Sequence, residues 1–296
     1  MTDRQATARG RIVRRVLLYG ALIAASLLML LPVFSMVTTA LKSAREIYAA
    51  EPTVFPREVH WENFRLALSP NERTLQVFDF LTCLGNSVCV TALVIVGNVT
   101  SCSLVAYGFV RFRTRWNRPL FAVMLSAMML PPIVLSIPRF VMWTRFLGLY
   151  DTLYPLWLPA FFGLNAFFIF LLTQFFKGIP KDLIDAARID GCGELGIFLR
   201  VVVPLSRPVL LVVAVFTFIW TWNDFFTPLI YIEDPSKYTL ALGLQKFIMG
   251  SRGSDYGTQW NLLLAATTVT TIPIVIVFFF AQRYFVQGIT MSGLKQ

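Results

Sequence analysis

Apolar runs long enough to cross hydrocarbon recur along this chain, and nothing else in it constrains the fold as strongly. Six can be marked, at about 16–41, 84–110, 120–137, 153–176, 208–232 and 262–285. Each is close to the ~20 apolar residues that a helix needs to span a bilayer. Backbone polar groups in lipid must be satisfied within the segment, so runs of this length fold as helices. Of 296 residues, 56% are hydrophobic and 14% charged, against ~25% charged in a soluble domain. The expected fold class is an all-α polytopic membrane protein with six transmembrane helices. The first run follows a basic start, as a signal peptide would. It is longer than an h-region of ~7–15 residues and no clear small-residue cleavage site closes it, so it reads as an uncleaved span.

The formal net charge of +10 is a matter of topology rather than of a nucleic acid or an acidic substrate. About 16 of the 26 Lys and Arg fall in the N-terminal tail, the loop after the second run, the loop after the fourth and the C-terminal tail. The other loops hold about ten, offset by about ten acids. Basic loops mark the cytoplasmic side, so both termini are expected inside a bacterial inner membrane. The expected organisation is a cytoplasmic tail over 1–15, a permease domain over 16–286 with a cytoplasmic loop at 177–207, and a second tail over 287–296.

Within that loop, Leu183, Ala186, Ala187 and Asp190 fall at i, i+3, i+4 and i+7 and share a helix face. Pro180 suits the first helical position, and Asp182 and Asp185 suit a first turn, where the helix dipole favours carboxylates. Gly191 stops the helix, and a second helical segment is expected from Glu194 to about Val203, ending at Pro204. Two alanines on an exposed face let another protein approach the backbone. A docking helix for a cytoplasmic partner and an ordinary solvated helix between spans fit these residues equally.

Two other places invite a functional reading. Pro131-Pro132 interrupts the third run, and a proline break is tolerated in a membrane where protein or a wet cavity re-satisfies the backbone; a simple kink is the plainer account. Trp220, Asn223 and Asp224 lie toward the outer end of the fifth run. Asp224 is the one acid within a run, and a charge there costs ~2.5–3.5 kcal/mol on insertion scales, so it should face a cavity or a partner. An interfacial aromatic belt with a snorkelling Asp is the alternative.

No G-x-x-x-x-G-K-[ST] loop is present, and no Ser-His-Asp, Cys-His or metal-ligand constellation. No cofactor, metal or enzymatic activity of its own is therefore expected. Cys83, Cys89, Cys102 and Cys192 have no C-x-x-C spacing and read as small packing residues. His60, the single histidine, sits in a polar loop. The Asn98-Val99-Thr100 sequon lies inside a run and is discounted.

The segment Asp185-Ala186-Ala187, Asp190-Gly191, Phe198, Pro204 and Pro208 resembles the EAA motif of inner-membrane permease subunits of binding-protein-dependent ABC importers. Here Asp185 stands for the usual Glu and Cys192 for a common Ala. Trp222-Asn223-Asp224-Phe225 is similar to a Trp-Asn-[Glu/Asp]-Phe segment of sugar permeases. Tyr256-Gly257-Thr258, Gln282 to Thr290 and Gly293-Leu294-Lys295 resemble the end of carbohydrate-uptake permeases, nearest to the second permease of maltose-like systems. The resemblance implies a type I importer bundle whose Lys181–Gly191 helix couples to an ATPase through Asp185, Ala186, Ala187, Asp190, Gly191 and Pro204. It implies as partners two ATP-binding subunits that carry the ATP, a second homologous permease and an external solute-binding protein. It implies a sugar or oligosaccharide substrate passing Trp220, Asn223 and Asp224; the Pro131-Pro132 break is a candidate for the same path from its backbone chemistry alone. An ABC permease for another solute class, an ion-coupled secondary transporter and a non-transporting membrane subunit are the rivals. The secondary transporter would want more intramembrane carboxylates than Asp224.

Overall fold

The computed structural model describes residues 2–51, 53–69, 79–112, 114–250 and 259–293, with side chains of 2–13, 250 and 283–293 left aside. Among the described residues there is helix and turn and no strand. The chain divides into two compact units, residues 1–68 with 250–269, and 69–249 with 270–296.

In the first unit, Thr2–Ala40 is one helix, so the basic start expected as a tail is helical from residue 2. The spanning stretch Arg14–Ala40 buries none of its apolar window inside the chain. The following loop, which reads as merely polar, is organised by two side chains. Asn63, buried, donates to the carbonyls of Ala40 (2.8 Å) and Lys42 (2.9 Å) and accepts from Asn261 Nδ2 (3.1 Å). Glu46 accepts from Thr53 Oγ1 (2.6 Å) and the Arg57 amide (3.0 Å). His60 lies 3.5 Å from Glu62.

The second unit is built around the helix Phe80–Arg111. Small residues on that helix let other elements come close, as membrane helix packing requires. A Cβ at Gly97 would stand 2.9 Å from both Ala160 Cβ and Phe161, and Ser101 Oγ donates to the Ala160 carbonyl at 2.6 Å. Asn98, in the discounted sequon, is buried and donates to Thr217 Oγ1 at 3.4 Å. Gly97→Val should therefore overpack this junction, at a cost of about 1–3 kcal/mol. The expected readout is a lower melting temperature of the detergent-purified chain. An unchanged melting temperature would show that Ala160 and Phe161 yield freely.

Four helices in the described residues are long and apolar enough to cross a membrane, or five if the pair Glu194–Leu205 and Arg207–Trp222, bent by 79°, is one span. The expected third span is not one helix. Asn117–Ala127 ends ahead of turns, and helix resumes at Ser136–Val141 before a π turn at Met142–Phe146. Pro131 and Pro132 remove two consecutive backbone donors, and Pro132 disfavours helical backbone at Pro131. The fifth run also breaks early. Arg207–Trp222 ends at Asn223, and Phe226–Tyr231 is a separate short helix.

Other boundaries move for local reasons. Pro180 sits one position before the helix Lys181–Ile189, not at its first residue, so Asp182 is in the first turn and Asp185 is not. The segment after Glu194 runs past Pro204 to Leu205, with a π turn at Phe198–Val202. Pro204 has no N–H for an i→i−4 bond, which permits that wider turn. Leu240–Gly250 is helical where a long loop is expected, with Leu240, Leu242 and Phe247 buried. The last helix continues from Trp260 to Gly293, through most of the expected tail. Residues 251–258 and 294–296, which carry part of the sugar-permease resemblance, lie outside the described residues.

Candidate functional site

The helix Lys181–Ile189 closes in a Schellman arrangement. Gly191 adopts φ +82°, the left-handed region that glycine enters at no steric cost. Its amide donates to the Arg188 carbonyl, and the Cys192 amide to that of Ala187, both at 3.0 Å. This pattern satisfies carbonyls that the helix end would otherwise leave open. The Asp190-Gly191 pair is thus the C-cap and the residue after it.

The two alanines have different surroundings. Ala187, with Ile184 and Cys192, packs against the buried cluster of Tyr107, Phe176, Ile197 and Phe198. Ala186 faces out with Leu183 and Ile189, the latter 87% exposed. Leu195, Leu199 and Leu205 on the next segment are exposed as well. The expected shared face is therefore split, with one alanine seating the helix and the other presenting it. Asp185 is exposed and lies 3.7 Å from Arg188. Pro204 is half-buried behind this surface.

One residue that the motif reading passes over holds the assembly. Glu194 Oε2 accepts from Tyr107 Oη and Arg111 Nε, both at 2.8 Å. Its Oε1 accepts from Arg111 Nη2 (3.1 Å) and Arg188 Nη2 (2.8 Å). The Arg111 guanidinium is thus a two-point clamp, the strong form of such a pair. It is also the first cause holding the Glu194 carboxyl below the usual glutamate range. Tyr107 further rests on Phe198, ring centroids 5.1 Å apart. One carboxylate therefore ties the Lys181–Ile189 helix to the cytoplasmic end expected for Phe80–Arg111. The signal in the sequence was slight: an acid six residues after Arg188, with a basic residue ending an apolar run.

The other candidates gather at two breaks. Asn223 is exposed and donates from Nδ2 to the Ile219 carbonyl (2.7 Å). Asp224 is half-buried, and its carboxylate accepts from the Thr227 amide (3.0 Å), opening the next short helix. Trp220 stacks on Phe168 at 5.2 Å while 48% exposed. Its neighbour Trp222 is buried and donates to the Thr270 carbonyl. Pro131 and Pro132 are exposed. No hydrogen bond or ring contact among the described residues joins them to Asn223 or Asp224. The helices beyond the two breaks do meet, through Phe140 on Tyr231 at 5.6 Å.

A third junction went unread. Asp151 has φ +52°, a conformation that Asp tolerates better than most residues. Its carboxylate accepts the amides of Glu233 and Asp234, each at 3.0 Å, and pairs with Lys237 at 2.7 Å. The Lys237 bond, followed by the two amides, pulls its pKa down to about 2. This latch fixes the loop leading into Leu240–Gly250.

Long apolar helices thus carry an exposed helix on a salt-bridged mount. Residues 98–291 match the binding-protein-dependent transport system inner membrane component family, and the chain belongs to that family. It is 34% identical to the arabinooligosaccharides transport system permease protein AraQ of Halalkalibacterium halodurans, over 78% of this chain and 82% of that one. It is 32% identical to the sn-glycerol-3-phosphate transport system permease protein UgpE of Pectobacterium atrosepticum, over 92% and 94%. In fold it is similar to a chain of a bacterial ABC transporter involved in the import of the acidic polysaccharide alginate. The TM-score is 0.77 at 24% identity, covering 96% of this chain and 99% of that one. The chain is thus an integral, multi-pass permease with the fold of that importer's subunit.

Proposed function

We propose that this chain is one of two homologous permeases of an ATP-driven importer for a sugar or oligosaccharide. It forms half of the pathway, receives its solute from an external binding protein and is driven by two ATP-binding subunits that hold the nucleotide. The observation that carries this is the Lys181–Ile189 helix, which presents Leu183, Ala186 and Ile189 outward and is bound to the bundle through Glu194. The relatives support the solute class: one is named for arabinooligosaccharides, another for polygalacturonan and rhamnogalacturonan. The glycerol phosphate relative marks how far solutes diverge on one frame. The excess of basic residues in the 177–207 loop and both tails supports a cytoplasmic position for that helix and both termini, in a bacterial inner membrane. Alternation between inward-open and outward-open states follows from the differential affinity of the ATPase for the two.

The test is ATP-dependent uptake of labelled oligosaccharide by proteoliposomes holding the full complex, with Asp224→Asn beside the wild type. Uptake should need ATP and the binding protein, and Asp224→Asn should slow it several-fold with assembly intact. Uptake driven by a proton gradient without the ATPase would overturn the assignment. Unchanged uptake by the variant would remove Asp224 from the pathway.

A further inference from the structure

A cavity of about 310 Å³ opens between Asn117–Ala127, the end of Phe80–Arg111 and the end of Ala166–Lys177. Its walls are apolar: Phe109 and Phe121, ring centroids 5.4 Å apart in an edge-on pair, with Ala122 and Leu125 beyond them. Its mouth carries two cations, Arg118 and Lys177, and no acid lines it. Lys177 Nζ stands 5.4 Å over the Phe121 ring. Among the described residues neither cation has a carboxylate partner. Asn117 is committed elsewhere: its Nδ2 donates to the carbonyls of Phe109 and Phe112 and its Oδ1 accepts from Thr114.

The helix start at this mouth has the wrong charge for its dipole. Asn117–Ala127 has no side-chain cap and no acid in its first turn, and Arg118 occupies that turn. At that start the Asn117 amide donates to the Thr114 carbonyl and the Leu120 amide to that of Trp116, and Pro119 has no amide hydrogen, so the attraction for an anion there comes from the Arg118 side chain. Arg118 and Lys177, neither with a carboxylate partner among the described residues, thus line one apolar groove. Basic pockets between membrane helices on the cytoplasmic side suit anionic headgroups. The groove below the mouth suits a chain rather than a small soluble anion.

We propose that this groove is a binding site for an anionic glycerophospholipid, its phosphate at Arg118 and Lys177 and its acyl chain along Phe121, Ala122 and Leu125. None of its lining residues is among those proposed for the solute pathway, and the site does not rest on the identity of the solute.

The experiment reconstitutes the whole complex in phosphatidylcholine vesicles containing phosphatidylglycerol with a diazirine on its acyl chain. After illumination, labelled peptides are mapped by mass spectrometry. Label is expected on residues 117–125 and 170–177. Taking each surface cation at its usual weight, Arg118→Gln or Lys177→Gln should cut it about fivefold and the pair about 25-fold. Arg118→Lys with Lys177→Arg should retain it. Unlabelled phosphatidylglycerol should compete in the wild type and unlabelled phosphatidylcholine should not, a comparison that holds even if the double variant misfolds. Equal labelling by a diazirine phosphatidylcholine would overturn the proposal in favour of a merely apolar groove. Protection by free glycerol phosphate alone would overturn it in favour of a soluble anion. Absence of label here, with label elsewhere on the chain, would mean another protein covers the groove and would sink the proposal.

Discussion

Ala186→Glu is expected to strip the ATP-binding subunits from this chain in a detergent pull-down while leaving its melting behaviour unchanged. Ala186 is exposed and packs on nothing in the buried cluster, and surface substitutions of that kind fall within about 0.5 kcal/mol. In a complex the same position would lie between Leu183 and Ile189, two exposed apolar residues whose covering gives the contact its driving force. A carboxylate there would be buried without a partner, which costs several kcal/mol. At roughly 3 kcal/mol, affinity falls more than a hundredfold. Ala187→Glu should behave differently, because Ala187 packs against the buried cluster with Ile184 and Cys192. That variant should lower the melting temperature as well as lose the partner. If Ala186→Glu still co-purifies with the ATP-binding subunits at the wild-type ratio, docking is elsewhere. If both variants melt early, the alanines do not have separate roles.

The split between the alanines shows where sequence reading reaches its limit. Periodicity places Leu183, Ala186, Ala187 and Asp190 on one side of a helix, but a helix of nine residues has a face only a few residues wide. Which edge of it turns inward is decided by Tyr107, Phe176 and Phe198, which come from elsewhere in the chain. Gly191 was legible, because a positive φ demands its residue type. The long helices filling the first, second and last runs were legible because length and apolarity suffice to define such helices. The third and fifth were not, and for related reasons. A proline pair and an Asn-Asp pair lie within apolar runs whose average composition conceals them; the prolines break the helix through their missing amide hydrogens, and Asn223 and Asp224 bond the backbone through their side chains at the second break. Asp224 illustrates this well. Its carboxylate caps the amide of Thr227, a local duty that hydropathy cannot register. Glu194, Arg111 and Tyr107 were missed because they are up to 87 residues apart along the chain. No local pattern announces a contact of that range.

Glu194→Gln should cut solute uptake by about tenfold or more while ATP hydrolysis continues, because it loosens the mount between the proposed docking helix, Lys181–Ile189, and Phe80–Arg111. An amide keeps the shape of the carboxylate but loses the charge. It offers one acceptor oxygen where two were used by Tyr107, Arg111 and Arg188. Hydrogen bonds to charged groups contribute ~1.5–3 kcal/mol each, but the Glu194 side chain is 39% exposed, and solvent screening reduces the net loss to about 1–2 kcal/mol. Its pH dependence has a definite sign. Arg111 holds the Glu194 carboxyl below its ordinary range in the folded protein. The stability it contributes is therefore complete above the ordinary glutamate pKa of ~4.3 and is lost as pH falls through the lower folded value. Melting temperatures of wild type and Glu194→Gln should differ most near neutrality and converge as the pH falls below the lowered folded value. Parallel curves down to that pH would show that the clamp on Arg111 contributes nothing. Arg111→Lys gives the complementary result. Lysine keeps the charge and loses the two-point geometry, so it should retain part of the stability and lose most of the coupling. The Lys181–Ile189 helix should then still be held, but free to tilt against Phe80–Arg111 instead of carrying that helix with it.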